Sequence, residues 1–229
     1  GPAGSGKSTV SKQLAKELGF TYIDTGAMYR AVALKAYELG IDSEDEDSLR
    51  DLCSRINLCF APLPASSRKE GRKKQEVSDC TNKIFIDGND YSEKIRTPFV
   101  GQLSSKVSSQ KVVRDAMVRL QRLFAKRGFV VMEGRDIGTV VFPDADVKLY
   151  LDASPEVRGK RRYKELKEKG EAVSLDKIIE EVRIRDKRDS TRQHAPLTMA
   201  KDAIYIDTSN MELQDVLVKM IKIVKEKVT

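Results

Sequence analysis

The sequence predicts an α/β fold in which helices cover a parallel sheet and the first helix opens on a phosphate-binding loop. Three observations carry this expectation. The chain begins Gly1-Pro2-Ala3-Gly4-Ser5-Gly6-Lys7-Ser8, which satisfies G-x-x-x-x-G-K-[ST] in full. An amphipathic stretch with Val10, Leu14 and Leu18 follows directly. Further along, short apolar runs of strand type alternate with helical patterns, as parallel strands joined by crossover helices do.

Taken in order, residues 8–18 form the first helix, 20–24 (FTYID) a strand, and 27–39 a helix closed by Gly40. Residues 129–132 (FVVM) are a continuous apolar run that suits a strand buried on both faces. Residues 147–152 (VKLYLD) and 203–207 (AIYID) are two more strands, each followed by a helix start. Ser154 is placed to cap the first of those helices, with Pro155 at its first position. Ser209 and Glu212 have capping-box spacing ahead of a stripe of Leu213, Val216, Leu217, Met220, Ile221 and Val224. The middle breaks the rhythm. Residues 57–61 (NLCFA) and 83–86 (KIFI) read as strands, with Asp87-Gly88-Asn89 as a turn. Residues 62–75, rich in Pro, Ser, Lys and Arg, read as a surface loop. Thr97 and Pro98 then cap a long helical region to Arg127, ended by Gly128. One domain over 1–229 is expected, with 1–40 and 128–229 as its core and 41–127 as an α+β insert plus helix. A phosphate loop of this kind follows a buried strand, and nothing precedes Gly1, so the natural chain is expected to start earlier with that strand.

Composition narrows the classes. Of 229 residues, 40% are hydrophobic and 34% charged, which supports a packed core rather than disorder. No apolar run nears the ~18 residues of a membrane helix, and the first residues carry no apolar leader segment. The expectation is a cytoplasmic protein without a membrane partner. Cys53, Cys59 and Cys80 form no C-x-x-C and sit beside apolar residues, as small buried hydrophobes in a reducing compartment do. The single histidine, His194, excludes His-based metal clusters and is a poor candidate for a general base. Net charge is +7. Residues 158–192 hold 13 basic against 8 acidic side chains, and residues 66–75 hold 5 against 1. These windows together carry +9, which leaves about −2 for the rest. Two local concentrations suit a compact anion and a loop better than a nucleic-acid duplex lying along one face.

The loop motif has a direct chemical reading. Its glycines let backbone N–H groups wrap a triphosphate, and the positive end of the helix behind points at the same anion. Residues Gly1, Pro2, Ala3, Gly4, Ser5, Gly6, Lys7, Ser8 and Thr9 therefore form an ATP-binding segment, with Lys7 reaching the β- and γ-phosphates and Ser8 placed to ligate Mg²⁺. There is no NKxD guanine reader. A small phosphate-loop protein with an insert and a late Arg-rich segment suggests a phosphotransferase for a small anionic acceptor, with 158–192 as a lid.

More specific motifs follow in order along the chain: Asp24-Thr25-Gly26-Ala27-Met28-Tyr29-Arg30, then Ile95-Arg96-Thr97, then Glu133-Gly134-Arg135-Asp136-Ile137-Gly138-Thr139-Val140-Val141-Phe142-Pro143-Asp144-Ala145. Arg185-Asp186-Lys187-Arg188-Asp189, Arg192 and Ala195-Pro196-Leu197 complete the set. Together they resemble the bacterial cytidylate kinase family over essentially the whole chain. The resemblance implies a nucleoside monophosphate kinase fold with a five-stranded parallel core, a CMP-binding insert and a helical lid. It implies a monomer that moves the γ-phosphate of ATP to CMP or dCMP with Mg²⁺. The basic loop at 66–75 looks longer than the family's usual one, and the first strand is missing.

By the same resemblance, Lys7, Arg135, Arg185 and Arg192 are catalytic, and Arg30, Arg135 and Arg192 converge on the acceptor phosphate. Arg185 and Asp189 bind the ribose; with Arg192 they fall at i, i+4 and i+7, one helical face. Arg158 and Arg162 are placed to touch ATP, and Glu133 holds Mg²⁺ through water. Asp136, Ser105 and Arg114 match base-contacting positions, and Thr25 joins the CMP set. Asp136 suits the N4 amino donor of cytosine, and Ser105 and Arg114 suit its N3 and O2 acceptors. The acceptor phosphate, with a second pKa of ~6, is already ionised at neutral pH, so no general base is needed. Two other readings stay open: another small-molecule kinase acting on UMP, AMP or shikimate, and a nucleotide-gated RNA-binding protein using Arg68 to Lys74.

Overall fold

The computed structural model describes residues 1–61, 83–126 and 128–228. The basic segment 66–75, Cys80 and Arg127 lie outside them. The chain forms two compact units, Gly1–Gly19 with Glu133–Thr229, and Phe20–Met132.

In the first unit the phosphate loop runs into α1 (Lys7–Leu18). Gly6 caps that helix at φ 86°, and Gly19 closes it at φ 68°, both in the left-handed region that glycine adopts without a Cβ penalty. Val10 and Leu14 are buried, and α8 (Leu213–Val228) packs on α1 through Val216, Leu217, Met220 and Val224. β6 (Leu149–Asp152) pairs in parallel with β7 (Ile204–Asp207), Leu151 opposite Ile206. Between them in sequence lie α6 (Pro155–Glu168) and α7 (Leu175–Thr191), packed on each other. The Ser154 hydroxyl accepts from the Val157 amide with Pro155 in the first turn, so this cap forms as its residue types dictate.

The second unit is built on α2 (Thr25–Glu38), capped by Asp24, whose carboxylate accepts from the Ala27 amide at 2.9 Å. Ala27, Met28, Ala31, Val32, Ala33 and Ala36 are all at 1% exposure or less, so α2 is buried on most sides rather than amphipathic. Before it lies β1 (Thr21–Asp24), the ladder neighbour of β5 (Val130–Glu133), whose last residue falls in the first unit. After it come α3 (Glu46–Arg55) and an antiparallel sheet of β2 (Leu58–Ala61), β3 (Lys83–Ile86) and β4 (Asn89–Asp90). Asp87 and Gly88 both take positive φ, as a two-residue turn between β3 and β4 requires.

Among the described residues the ladders give two two-stranded sheets, β1–β5 and β6–β7, and one of three strands. Two expectations change. The helical region before residue 127 is two helices, α4 (Pro98–Val107) and α5 (Lys111–Ala125). The hydroxyls of Ser108 and Ser109 turn back to the carbonyls of Ser105 and Lys106, and the Arg114 guanidinium donates to the Ser108 carbonyl at 3.0 Å. Such local bonds compete with helix continuation. Ser209 does not cap α8: its hydroxyl accepts the Ser154 amide at 3.1 Å, and the helix starts later, with Val216 bonded to the Glu212 carbonyl. Arg192 is the C-cap of α7: its amide still donates to the Arg188 carbonyl at 3.1 Å and its φ of −63° is helical, and the chain leaves the helix after it at ψ 145°.

The contact between α6 and α7 depends on one missing Cβ. A Cβ on Gly159 would lie 2.4 Å from Cγ1 of Ile179. Gly159→Ala is expected to cost ~1–3 kcal/mol through overpacking, read as a lower urea midpoint at unchanged slope. Adding Ile179→Ala should recover part of the loss; equal midpoints for parent and Gly159→Ala would contradict the close contact.

Candidate active site

All of the phosphate loop belongs to the first unit, and its backbone is held from behind. A Cβ on Gly1 would stand 2.1 Å from the Leu151 carbonyl oxygen, so the loop starts hard against β6. Gly4, at φ 76°, would place its Cβ 3.2 Å from the Cβ of Arg158 on α6. The Ser5 hydroxyl donates to the Pro2 carbonyl at 3.1 Å. The N-cap residue of α1 is Gly6, which has no side chain to cap the first amides, as suits a helix start that receives an anion. Ser8 and Thr9 are exposed at that end.

The Lys7 ammonium turns inward, donating to the Pro2 carbonyl and to the Ser5 hydroxyl at 3.3 Å. Burial and then Arg135 push its pKa down; Glu133 acts the other way, while Arg185 and Arg158 add to the lowering, to about 7. Arg135 follows β5 by two residues. Its Nε donates to Asp189 on α7 at 2.8 Å, and its guanidinium to the Gly1 carbonyl at 3.3 Å. Burial raises the Asp189 carboxyl, but Arg135, Arg185 and Arg192 outweigh this and hold it below its usual range. Asp136 and Glu133 are buried beside Arg135 in sequence. Lys7, Arg135, Arg185 and Glu133 therefore share one electrostatic neighbourhood. Past α7, the Arg192 Nε donates to the Ala195 carbonyl at 2.7 Å, and Ala195 takes φ 48° in the turn that follows.

Beside the loop lies a cavity of about 560 Å³ lined by Ser5, Gly6, Val157, Arg161, Asn210 and Met211, among others. Its volume and its position against the loop suit the rest of a nucleotide whose phosphates occupy the loop. Arg161 was not singled out from the sequence, yet it is the α6 arginine that lines this cavity. It donates to the Thr208 carbonyl at 2.6 Å and to the Thr208 hydroxyl at 3.2 Å. That hydroxyl lies 2.9 Å from the Asp152 carbonyl and 3.3 Å from that of Ser5, so Thr208 knots β6, β7's end and the loop together. Arg162 instead pairs with Glu165 at 3.2 Å on the surface, and Arg158 is buried against Ala153, Ala3 and Asp186. The helical repeat separates these arginines by a turn or less; only the packing tells which one faces the cavity.

The second unit holds Thr25, Arg30, Ser105 and Arg114. Thr25 and Arg30 lie on α2, Ser105 on α4 and Arg114 on α5. All but Arg30 are buried, and the Arg114 guanidinium lies 5.5 Å over the Tyr29 ring. Arg96 donates to Asp24 at 3.1 Å, tying the start of α2 to the short helical turn Lys94–Arg96. Its spacing in the sequence gave no sign of that anchor. For Mg²⁺, the Ser8 hydroxyl and the Glu133 carboxylate are hard oxygen donors near the Lys7 charge, a set that fits a cation completed by water and phosphate oxygens.

A family model described as cytidylate kinase matches residues 1–226. The chain is 50% identical over 227 residues to a cytidylate kinase of Syntrophotalea carbinolica, covering 99% of this chain and 90% of that one. It is 48% identical to one of Geobacter sulfurreducens, with 99% and 91% covered, and 46% identical to one of Thermodesulfovibrio yellowstonii, with 99% and 96% covered.

Lys7 makes triphosphate binding depend on pH. A bound polyanion favours its charged form and raises its pKa above the free value of about 7. ATP affinity should therefore be level below pH 7 and weaken as pH rises above it, by up to about tenfold per unit. Calorimetric titrations from pH 6 to 9 should show this slope, and Lys7→Arg, charged throughout, should flatten it. A level profile for the parent would contradict the lowered lysine.

Proposed function

The chain belongs to the cytidylate kinase family, and we propose that it moves the γ-phosphate of ATP to CMP or dCMP, giving ADP and CDP or dCDP. The observation that carries this reading is Arg135. It grips the phosphate loop at the Gly1 carbonyl and the α7 carboxylate Asp189 at once, so donor-side and acceptor-side groups share one cation.

The chemistry needs charge control more than proton transfer. A phosphate oxygen of CMP, already ionised, attacks the γ-phosphorus, and the bond to the β-bridging oxygen breaks as ADP leaves. The loop amides and Lys7 hold the β- and γ-phosphates, and Arg135, Arg185 and Arg192 stabilise the transferred group. Mg²⁺, held by Ser8 and through water by Glu133, would offset charge on the β- and γ-oxygens when bound. Donor contacts run over Gly1 to Thr9, with the ATP base and ribose in the cavity beside Arg161. The residues assigned to the acceptor by the family resemblance are Arg135, Asp136, Arg185, Asp189 and Arg192, and Thr25, Arg30, Ser105 and Arg114. Packed α6 and α7 support a helical lid over 158–192 that closes on both nucleotides and excludes water. The parallel β6–β7 pair supports a share in a five-stranded parallel core.

Base choice falls to Asp136. Its carboxylate accepts from the N4 amino group of cytosine, whereas uracil presents an oxygen there and two acceptors repel. An ADP-release assay over CMP, dCMP, UMP and AMP should show turnover concentrated on the cytidylates. In Asp136→Asn the CMP to UMP ratio of kcat/KM should shrink at least tenfold, about 1.4 kcal/mol, with residual activity kept by Arg135. A ratio within about twofold of the parent would move base selection to Ser105 and Arg114.

A further inference from the structure

Arg158 holds the phosphate loop and α7 at the same time. It is 3% exposed. Its Nε donates to the Ala153 carbonyl at 2.7 Å, one terminal nitrogen donates to the Ala3 carbonyl at 3.1 Å and to Oδ1 of Asp186 at 3.0 Å, and the other donates to Oδ2 of Asp186. A bidentate pair of this kind, its arginine buried and its carboxylate half-buried, is geometrically specific, unlike the exposed Arg183–Glu156 pair that also joins the two helices.

Both ends of the pair matter. In a trans peptide the C=O and the following N–H point in opposite directions. By drawing the Ala3 carbonyl toward itself, Arg158 turns the Gly4 N–H away from α6, as a loop that wraps an anion with its amides requires. At the other end, Asp186 follows Arg185 directly and lies three residues before Asp189, the two α7 residues assigned to the acceptor. We propose that Arg158 and Asp186 form a positioning strut that couples the amide orientation of the phosphate loop to the acceptor-binding residues of α7, so that a donor in the loop strengthens the hold on CMP. Arg158 then acts through Ala3 and Asp186 and touches neither nucleotide. The inference rests on the assignment of Arg185 and Asp189 to CMP.

The strut is tested by the dissociation constant of CMP with and without a saturating non-hydrolysable ATP analogue and Mg²⁺, using the whole chain. The parent should bind CMP at least about fivefold more tightly with the analogue. Asp186→Asn should bring that ratio to within about twofold of unity while leaving the affinity for the analogue alone within about threefold, because Asp186 touches no nucleotide. Asp186→Glu, which keeps the charge, should give an intermediate ratio. Removing one partner of a buried pair can unfold a protein, so Arg158→Met with Asp186→Leu, which leaves no lone buried charge, serves as the second variant and should lose the coupling too. A parent-like ratio in either folded variant, or a parent ratio of one, overturns the strut. Asp186→Asn binding the analogue more tightly would also overturn it, since it would mean that the released Arg158 contacts ATP. A parent that turns over CMP but shows unaltered coupling in the variants sinks only this inference, whereas a parent that neither binds nor turns over CMP sinks the functional reading as well.

Discussion

The ammonium of Lys7 lies among Arg135, Arg158 and Arg185, with Glu133 acting against them, and burial together with these cations lowers its pKa to about 7. Two of the arginines are partly neutralised by α7 carboxylates, Arg135 by Asp189 and Arg158 by Asp186. What remains on Lys7 is positive charge that suits a polyanion. The cost of keeping a charged group near its neutral form in the free protein becomes binding and transition-state stabilisation once phosphate arrives.

Much of the first unit serves to keep that arrangement rigid. The loop is wedged against the Leu151 carbonyl at Gly1 and against Arg158 at Gly4, and Thr208 ties Ser5 to the ends of β6 and β7. Left-handed glycines at positions 4 and 6 let the chain turn there without a side chain entering the anion's space. In the second unit, Asp24 both caps α2 and pairs with Arg96, so one carboxylate sets where Thr25 and Arg30 sit.

The loop, α1 and the alternation of strands and helices were legible because they rest on local rules: a glycine motif, apolar periodicity, and a Ser-Pro cap at 154–155. What escaped depends on competition between distant groups. Ser209 has the right spacing for a cap, but the Ser154 amide claims its hydroxyl. Arg158, Arg161 and Arg162 are alike in sequence. One is buried against Asp186, one faces the cavity and one pairs with Glu165, and only the packing of α6 on α7 and β7's end separates them. Motif resemblance named the chemistry of these positions, whereas their reach depends on the backbone that carries them.

The account stands or falls on the charge state of Lys7. Selective isotope labelling of lysine side chains, with Lys7→Arg to assign the signal, would allow its titration by NMR with and without a non-hydrolysable ATP analogue. The predicted result is a midpoint near 7 in the free protein that moves upward by about two units or more when the analogue binds. A free-protein midpoint at the ordinary lysine value of 10.5, unmoved by the analogue, would contradict the view that a crowded cationic site awaits its polyanion.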